Sequence, residues 1–116
     1  DLFGIASRLN ELVNSARNGK LSPDAVRGGT FTISNHGVSG SLLAAPIVIN
    51  QPQIAIMGVG KIERRLTVQQ IDGVDNVSVR PMCYLTLTID HRALDAFQGN
   101  AFLSAVVNTL QSWPST

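Results

Sequence analysis

The chain has 116 residues, of which 44% are apolar and only 15% are charged, and its formal net charge is +1. No cluster of Lys or Arg is larger than Arg64-Arg65 and aromatic residues are few, which argues against a nucleic-acid-binding surface. No apolar run approaches the roughly 20 residues that span a bilayer, and no charged leader with a cleavage site opens the chain. The composition therefore predicts one domain's worth of chain with large protein contacts, and neither nucleic acid nor a membrane as partner.

The first predicted element is an amphipathic helix. Apolar residues recur at helical spacing over residues 1 to about 18, with polar residues on the other side, and Gly19 is the expected C-cap. Ser22-Pro23-Asp24 has the pattern of an N-cap followed by proline, so one short helical turn should come next. Because the helical pattern is already under way at Asp1, we expect the chain to be a fragment or processed piece.

A short strand then leads into a loop of small residues. Thr30 to Ser34 is rich in β-forming residues, and the turn-forming stretch from Asn35 to Gly40 cannot continue it, so Ser34 and Asn35 stand at a strand end. A hydroxyl in such a place can stabilise an oxyanion by about 3 kcal/mol. The alternative is that Ser34 only satisfies the backbone of its own loop. His36 has no carboxylate near it in sequence, and we assign it no catalytic role.

The middle of the chain predicts sheet. Two apolar runs, Leu42 to Asn50 and Ile54 to Gly58, have the length of buried strands, and glycines at 58 and 60 indicate close approach of another backbone or a ligand. No third glycine or following helix completes a dinucleotide-binding motif. Leu66 to Gln70 and Val77 to Val79 flank an Asp-Gly turn, which predicts a peripheral hairpin.

Tyr84 to Ile89 alternates polar and apolar residues, as a half-buried central strand does. Cys83 enters this strand within an apolar alternation, so we interpret it as a small core residue; a catalytic thiol would need to be exposed at a strand end. One cysteine cannot form an internal disulfide, which fits a reducing compartment.

His91 follows this strand on a short loop, and Asp95 opens a helical run in which Asp95 and Gln98 have the form of a capping box. Loops held by rigid elements often carry catalytic groups, and an imidazole there can act as a general base. The alternative is that Asp95 is only a helix cap and His91 only a turn residue. Apolar spacing predicts a helix to about Ser112, stopped by Pro114. The whole pattern predicts an α/β fold with a mixed sheet covered by helices on one face.

Two motifs carry a resemblance to a known family. Asp-His-Arg-x-x-Asp, from Asp90 to Asp95, resembles the active-site signature of the dihydrolipoyl acyltransferases, the core subunits of 2-oxo acid dehydrogenase complexes. The family usually has Gly where this chain has Ala96. The second motif lies upstream, in matching order and spacing, and comprises Gly28 to Asn35, Gly37, Gly40, Pro46-Ile47 and Asn50 to Gly58. The resemblance covers essentially all of the chain, and it identifies residues 1–116 as the C-terminal half of an acyltransferase catalytic domain.

The resemblance implies the coenzyme A-dependent acyltransferase fold that is shared with chloramphenicol acetyltransferase. It also implies transfer of an acyl group to coenzyme A from a dihydrolipoyl arm that is carried on a separate domain, without an acyl-enzyme. His91 would be the general base, Ser34 would hydrogen-bond the oxyanion, and Asp95 would fix the loop that carries His91, whereas Asp90 and Arg92 would be structural. No metal is implied. The residues that would contact coenzyme A are Ser34, Asn35, Gly60 and Ile62.

The implied assembly is a trimer and larger cores, with the active site between subunits: His91 and Asp95 from one chain and Ser34 from its neighbour. The implied partners are lipoyl domains and the decarboxylase and dihydrolipoyl dehydrogenase components, in the bacterial cytoplasm or the mitochondrial matrix. Three alternatives stay open. They are an inactive scaffold whose loop is spoiled by Ala96, an acyltransferase of the same fold that acts on a small alcohol, and a thiol hydrolase that uses Cys83.

Overall fold

The computed structural model describes residues 1–114 and has an α/β fold with a mixed sheet, as the sequence predicts. Its order along the chain is helix, five strands, helix, with short 3₁₀ turns at Pro23–Val26 and Gly37–Ser39. The elements are α1 (Leu2–Arg17), β1 (Thr32–Asn35), β2 (Ala55–Val59), β3 (Glu63–Ile71), β4 (Val74–Met82), β5 (Leu85–Ile89) and α2 (Ala96–Gln111).

β1, β2 and β5 form a three-stranded sheet in the order β1-β2-β5, and this sheet contains the buried core of the described residues. β1 runs parallel to β2 and β5 runs antiparallel to it, so β2 is the central strand, and β5, which the sequence pattern placed at the centre, lies at one side of these three. The buried apolar residues of residues 1–114 are Ala55, Ile56 and Met57, all on β2. Ala55 to Gly58 therefore form a buried strand as predicted, because both edges of β2 are paired, whereas Ile54 precedes the strand and is 42% exposed.

The prediction of a second buried strand, from Leu42 to Asn50, is wrong. This segment belongs to no strand, and Ile47 is 84% exposed. Pro46 lacks an N–H and cannot complete a ladder. The segment instead crosses the sheet, where the Ala44 carbonyl accepts a 2.8 Å hydrogen bond from the Thr86 hydroxyl. The apolar residues of Leu42 to Asn50 thus belong to a segment that crosses the sheet with part of its surface exposed, and not to a strand.

β3 and β4 form the predicted hairpin, which is longer than the sequence pattern indicated. Its turn residues Asp72 and Gly73 both have positive φ, 52° and 80°, as the mirror-image turn of a two-residue hairpin requires. The two strands pair almost entirely with each other and lie apart from the three-stranded sheet. Cross-strand pairing places Leu66, Val68, Val77 and Val79 on one face, which is exposed.

The C-terminal helix packs on the sheet, whereas the N-terminal helix does not. In α2, the buried Gly99 faces the side chains of Ile89 and Leu87. The Phe102 ring lies 5.6 Å from that of Phe31, centre to centre. No residue of α1 is buried, so within residues 1–114 only α2 covers the sheet. Neither helix is long and apolar enough to cross a membrane.

α1 ends as its sequence predicts, with a shift of one residue. Asn18 is the C-cap, and Gly19 follows it with φ of 66°. The Gly19 N–H donates to the Ala16 carbonyl and the Lys20 N–H to the Ser15 carbonyl, at 3.0 and 2.8 Å, which is the Schellman pattern. Glycine is needed at this position because a side chain is strained at positive φ.

The chain by itself buries little apolar surface. Its radius of gyration is 17.2 Å, against about 13 Å for a compact domain of this length. Large apolar residues on α1, including Leu2, Phe3 and Ile5, are exposed. These surfaces fit the predicted large protein contacts.

Candidate active site

His91 is exposed on a tight turn that is anchored to the central strand. The Asp90 N–H donates to the Ile54 carbonyl at 2.8 Å, which extends the β2–β5 pairing by one bond beyond Ile89. The Asp90 carbonyl accepts hydrogen bonds from the N–H groups of Ala93 and Leu94, at 2.9 and 3.0 Å. The backbone on both sides of His91 is therefore fixed, and the imidazole is presented to whatever approaches this end of the sheet.

Asp90 and Arg92 pair across His91. The Arg92 guanidinium donates to both carboxylate oxygens, with Nε 2.9 Å from Oδ1 and Nη2 2.6 Å from Oδ2, and the Arg92 backbone N–H donates to Oδ1 at 3.0 Å. The Asp90 side chain is only 16% exposed. These bonds, first from the guanidinium and then from the backbone N–H, lower the pKa of Asp90 to about 2.

Asp95 is the N-cap of α2, as predicted. Its Oδ1 accepts from the Gln98 N–H at 2.8 Å, and Gln98 Oε1 accepts from the Asp95 N–H at 3.0 Å, which completes the capping box. Within residues 1–114 the Asp95 carboxylate makes no hydrogen bond to His91, so its bonding in this chain is to the helix.

Ala96 is the first residue of α2, and its φ is negative, as the capping pattern predicts. In residues 1–114 only one non-glycine residue, Asp72, has positive φ. The alanine that departs from the family pattern therefore introduces no backbone strain into the turn that carries His91.

Ser34 and Asn35 close β1, with Ser34 half-buried and Asn35 exposed. The loop that follows turns at Gly40, where φ is 85°. His36, at the start of this loop, is half-buried, and both of its ring nitrogens are buried without a hydrogen-bond partner in the described chain. The structure thus brings Ser34 to a strand end, as the sequence predicts.

Ser34 and His91 lie at opposite ends of the sheet within one chain. Ser34 pairs with Gly58, which pairs with Thr86, and the chain then runs five residues further to His91. The strand from Thr86 to Ile89 alone spans about 10 Å, and two strand spacings of about 4.8 Å separate β1 from β5. The structure does not bring the two residues together in one copy.

The two positions predicted to contact coenzyme A through main chain, Gly60 and Ile62, differ in exposure. Gly60 is buried, its N–H donates to the Tyr84 carbonyl at 2.9 Å, and a side chain there would collide with the Leu42 carbonyl. The predicted close approach of another backbone at this glycine is confirmed. Ile62 is 74% exposed. In this segment Ile62 is therefore accessible, whereas the Gly60 N–H is already used.

Cys83 is exposed, so its interpretation as a core residue is wrong. It lies in the link between β4 and β5, and the strand pattern begins only at Leu85. The apolar alternation that surrounds it in sequence continues across a break between two different sheets. Exposure alone does not make a thiol a nucleophile, and no histidine is within hydrogen-bonding distance of it in residues 1–114.

Gln53 has a structural role that the sequence reasoning missed. It is 7% exposed, its Oε1 accepts from the Thr32 hydroxyl at 2.6 Å, and its Nε2 donates to the Gly29 carbonyl at 3.2 Å. It thereby ties the start of β1 to the segment that enters β2. A polar residue between two apolar runs was the available signal, because a buried amide needs such partners.

Comparison with known proteins assigns the family. Residues 1–115 match the family described as 2-oxoacid dehydrogenases acyltransferase (catalytic domain). The chain belongs to this family. A succinyltransferase component of the 2-oxoglutarate dehydrogenase complex of Rickettsia typhi is 45% identical to this acyltransferase-family chain over 108 residues, which are 93% of the chain and 26% of the relative. An acetyltransferase component of the pyruvate dehydrogenase complex of Mycobacterium bovis is 40% identical over 111 residues, 95% of the chain and 20% of the relative.

Solved structures of the family have the same fold. A probable dihydrolipoamide acetyltransferase of Listeria monocytogenes superposes with a TM-score of 0.84 at 39% identity, and the match covers 97% of this chain and 47% of that one. An Azotobacter vinelandii dihydrolipoamide acetyltransferase gives 0.84 at 32% identity, over 97% of this chain and 44% of that one. The Azotobacter structure was determined to study the roles of a serine, a histidine and an asparagine in the catalytic mechanism of that enzyme, and its histidine and asparagine are four residues apart. This chain spans under half of the solved chains and about a quarter of the curated relatives.

Proposed function

We propose that this chain carries the His91 side of an active site that transfers an acyl group between a dihydrolipoyl arm and coenzyme A. The observation that carries the proposal is the exposed His91 on an anchored turn. The family match supports it, as do relatives named as acetyl- and succinyltransferase components. The negative φ of Ala96 supports an active site over an inactive scaffold, because the residue adds no backbone strain to the His91 turn.

His91 acts as the general base in the proposed reaction. A free thiol has a pKa of about 8.5 and is mostly protonated at neutral pH, so a base placed against it supplies the thiolate. His91 takes the proton of the coenzyme A thiol, and the sulfur attacks the carbonyl carbon of the acyl-lipoyl thioester. When the tetrahedral intermediate collapses, the bond to the lipoyl sulfur breaks and the imidazolium returns its proton to that sulfur. The products are acyl-coenzyme A and a dihydrolipoyl thiol.

Ser34 donates its hydroxyl hydrogen to the oxyanion of the intermediate. This bond strengthens only as negative charge develops on the carbonyl oxygen, so it lowers the barrier more than it improves substrate binding. In the same proposal Ser34, Asn35, Gly60 and Ile62 contact coenzyme A. Ile62 fits this best, because it is exposed; Gly60 would contribute its lack of a side chain, since its N–H is bonded to Tyr84.

The proposed site forms between two copies, with His91 and Asp95 from one and Ser34 from the other. The separation of Ser34 and His91 within one chain supports this arrangement. Such copies form trimers and larger cores, and a neighbouring structure of this family is the cubic core of a pyruvate dehydrogenase complex. Lipoyl domains would deliver the acyl group, and the decarboxylase and dihydrolipoyl dehydrogenase components would load and reoxidise the lipoyl arm. The named relatives are bacterial, which supports the bacterial cytoplasm as compartment.

The test is acyl transfer from acyl-dihydrolipoamide to coenzyme A by the assembled protein that contains this chain. His91→Ala should lower kcat by about two to four orders of magnitude, the range of a general base. His36→Ala is the matched control, because it removes the other imidazole of the chain from the Ser34 end of the sheet. It should change kcat little.

Equal losses in the two variants would reject His91 as the base. Full activity in His91→Ala, with the protein still assembled, would reject the mechanism as a whole. Acyl transfer from acyl-coenzyme A to a small alcohol but not to dihydrolipoamide would replace the dihydrolipoyl arm as the partner of coenzyme A and keep the fold.

A further inference from the structure

We infer that the Asp90–Arg92 pair is a positioning clamp that sets the direction of the His91 imidazole. This inference rests on the proposed function of His91. The two residues flank His91 on the chain, and three of their hydrogen bonds, from Nε, Nη2 and the backbone N–H of Arg92, end on one carboxylate. In the family resemblance both residues were expected to be structural.

Every polar group of Asp90 is engaged. Its N–H donates a hydrogen bond to the Ile54 carbonyl, next to the buried strand β2. Its carbonyl accepts hydrogen bonds from the N–H groups of Ala93 and Leu94, and its carboxylate accepts hydrogen bonds from Arg92. Asp90 is thus fixed to the core of the sheet, and Arg92 is fixed to Asp90. The clamp restrains the backbone of His91 from both sides, although the imidazole itself is exposed.

The geometry of the bonds favours positioning over a general stabilising contact. An ion pair on the surface contributes little to folding, because water screens it. A two-pronged contact from a planar guanidinium, however, fixes direction as well as distance. A displacement of about 1 Å at a catalytic group can cost about 100-fold in rate. The clamp therefore matters through the placement of the base.

Asp95 does not supply this restraint within residues 1–114 of one chain. Its carboxylate is bound to the Gln98 N–H at the start of α2, four residues beyond His91 along the chain. Asp90 and Arg92 are instead the direct sequence neighbours of His91. The turn that carries the base is consequently held by Asp90 and Arg92, whereas Asp95 holds the helix that follows.

The test compares Asp90→Ala, Arg92→Ala and the double variant in the assembled protein. Each single variant should lower kcat by about 10- to 100-fold while the KM for coenzyme A stays within about two-fold, since substrate contacts remain. The double variant should be no worse than either single one, because both remove the same clamp. Arg8→Ala is the matched control: Arg8 also pairs with a carboxylate, Glu11 at 2.8 Å, but on α1. It should keep full kcat.

Chemical rescue separates positioning from mere folding. Added ethylguanidinium should restore kcat in Arg92→Ala, where the Asp90 carboxylate is still present, and should have no effect on the double variant. Ethylammonium, which lacks the fork, should restore less in Arg92→Ala. A kcat loss that ethylguanidinium does not restore, or single losses that multiply in the double variant, would overturn the clamp.

The clamp and the proposed function fail in different ways. If His91→Ala abolishes transfer while Arg92→Ala keeps full kcat, the clamp is wrong and the general base stands. If His91→Ala is fully active, both are wrong.

Discussion

Gly58 on β2 pairs with Thr86 on β5, and the Thr86 hydroxyl lies 2.5 Å from where a β-carbon at position 58 would stand. The same β-carbon would be 2.9 Å from Pro46 Cδ. Gly58→Ala should therefore overpack the buried strand β2 and destabilise the assembled protein by about 1 to 3 kcal/mol. Denaturant unfolding monitored by circular dichroism measures this change. An unchanged midpoint would mean that the crossing segment from Leu42 to Asn50 moves freely away from the sheet.

Gly99→Ala is expected to change the free energy of unfolding in the opposite direction and stabilise the protein. A β-carbon at this buried helical glycine would stand 3.5 Å from Ile89 Cδ1 and 3.8 Å from Leu87 Cδ2, which is ordinary van der Waals contact. Alanine is also a better helix former than glycine by up to about 1 kcal/mol. The same unfolding experiment should show stabilisation of about that size. Destabilisation would show that another part of the assembly approaches α2 at Gly99.

Ser34→Ala should lower kcat for acyl transfer by about 10² to 10³ with little change in KM, because in the proposed mechanism the hydroxyl binds the oxyanion and not the ground state. Ser34→Thr should retain activity, since it keeps the hydroxyl. Steady-state kinetics on both variants makes the comparison. An increase in KM alone for Ser34→Ala would make Ser34 a binding contact.

Ala96→Gly should destabilise the start of α2 by less than about 1 kcal/mol and leave activity unchanged. Ala96 already has negative φ, so glycine offers no conformation that the turn needs. Thermal unfolding and a transfer assay, run side by side, test both parts. A large gain of activity would instead support the inactive-scaffold alternative.

Acid should open the Asp90–Arg92 clamp only at low pH. The pKa of Asp90 is about 2 in the folded protein, below its ordinary 3.8, so the carboxylate contributes stability above about pH 4 and loses it as the pH falls toward 2. Asp90→Asn removes this contribution. The stability difference between parent and variant should thus be constant above about pH 5, decrease below about pH 4 and be lost only as the pH falls through 2. A difference that already disappears near pH 5 would show that another group titrates there.

Local patterns predicted the elements that depend on local chemistry. The capping box at Asp95, the Asp72-Gly73 hairpin and the end of α1 near Gly19 were all readable, because each requires particular residues at fixed spacing. The exposed turn of His91 followed from the same logic. The motifs also pointed to the family, which the matched residues confirm.

Features that depend on long-range packing were not readable. An apolar run such as Leu42 to Asn50 has the composition of a strand, but whether it pairs depends on partners far away in sequence. Cys83 was assigned to the core because alternation does not show where one sheet ends and another begins. The Asp90–Arg92 pair joins residues two apart in sequence, yet its geometry depends on a turn that the Ile54 carbonyl, just before β2, anchors.

The separation of Ser34 and His91 within one chain has a genetic consequence. If a site takes Ser34 from one subunit and His91 from the next, subunits with Ser34→Ala and subunits with His91→Ala are each inactive alone but can complement each other. In trimers assembled at random from equal amounts, about one quarter of the sites would join an intact Ser34 to an intact His91. We expect co-expression of the two variants to restore roughly that fraction of parental transfer activity. Two inactive alleles could then support growth together in a cell that depends on this enzyme.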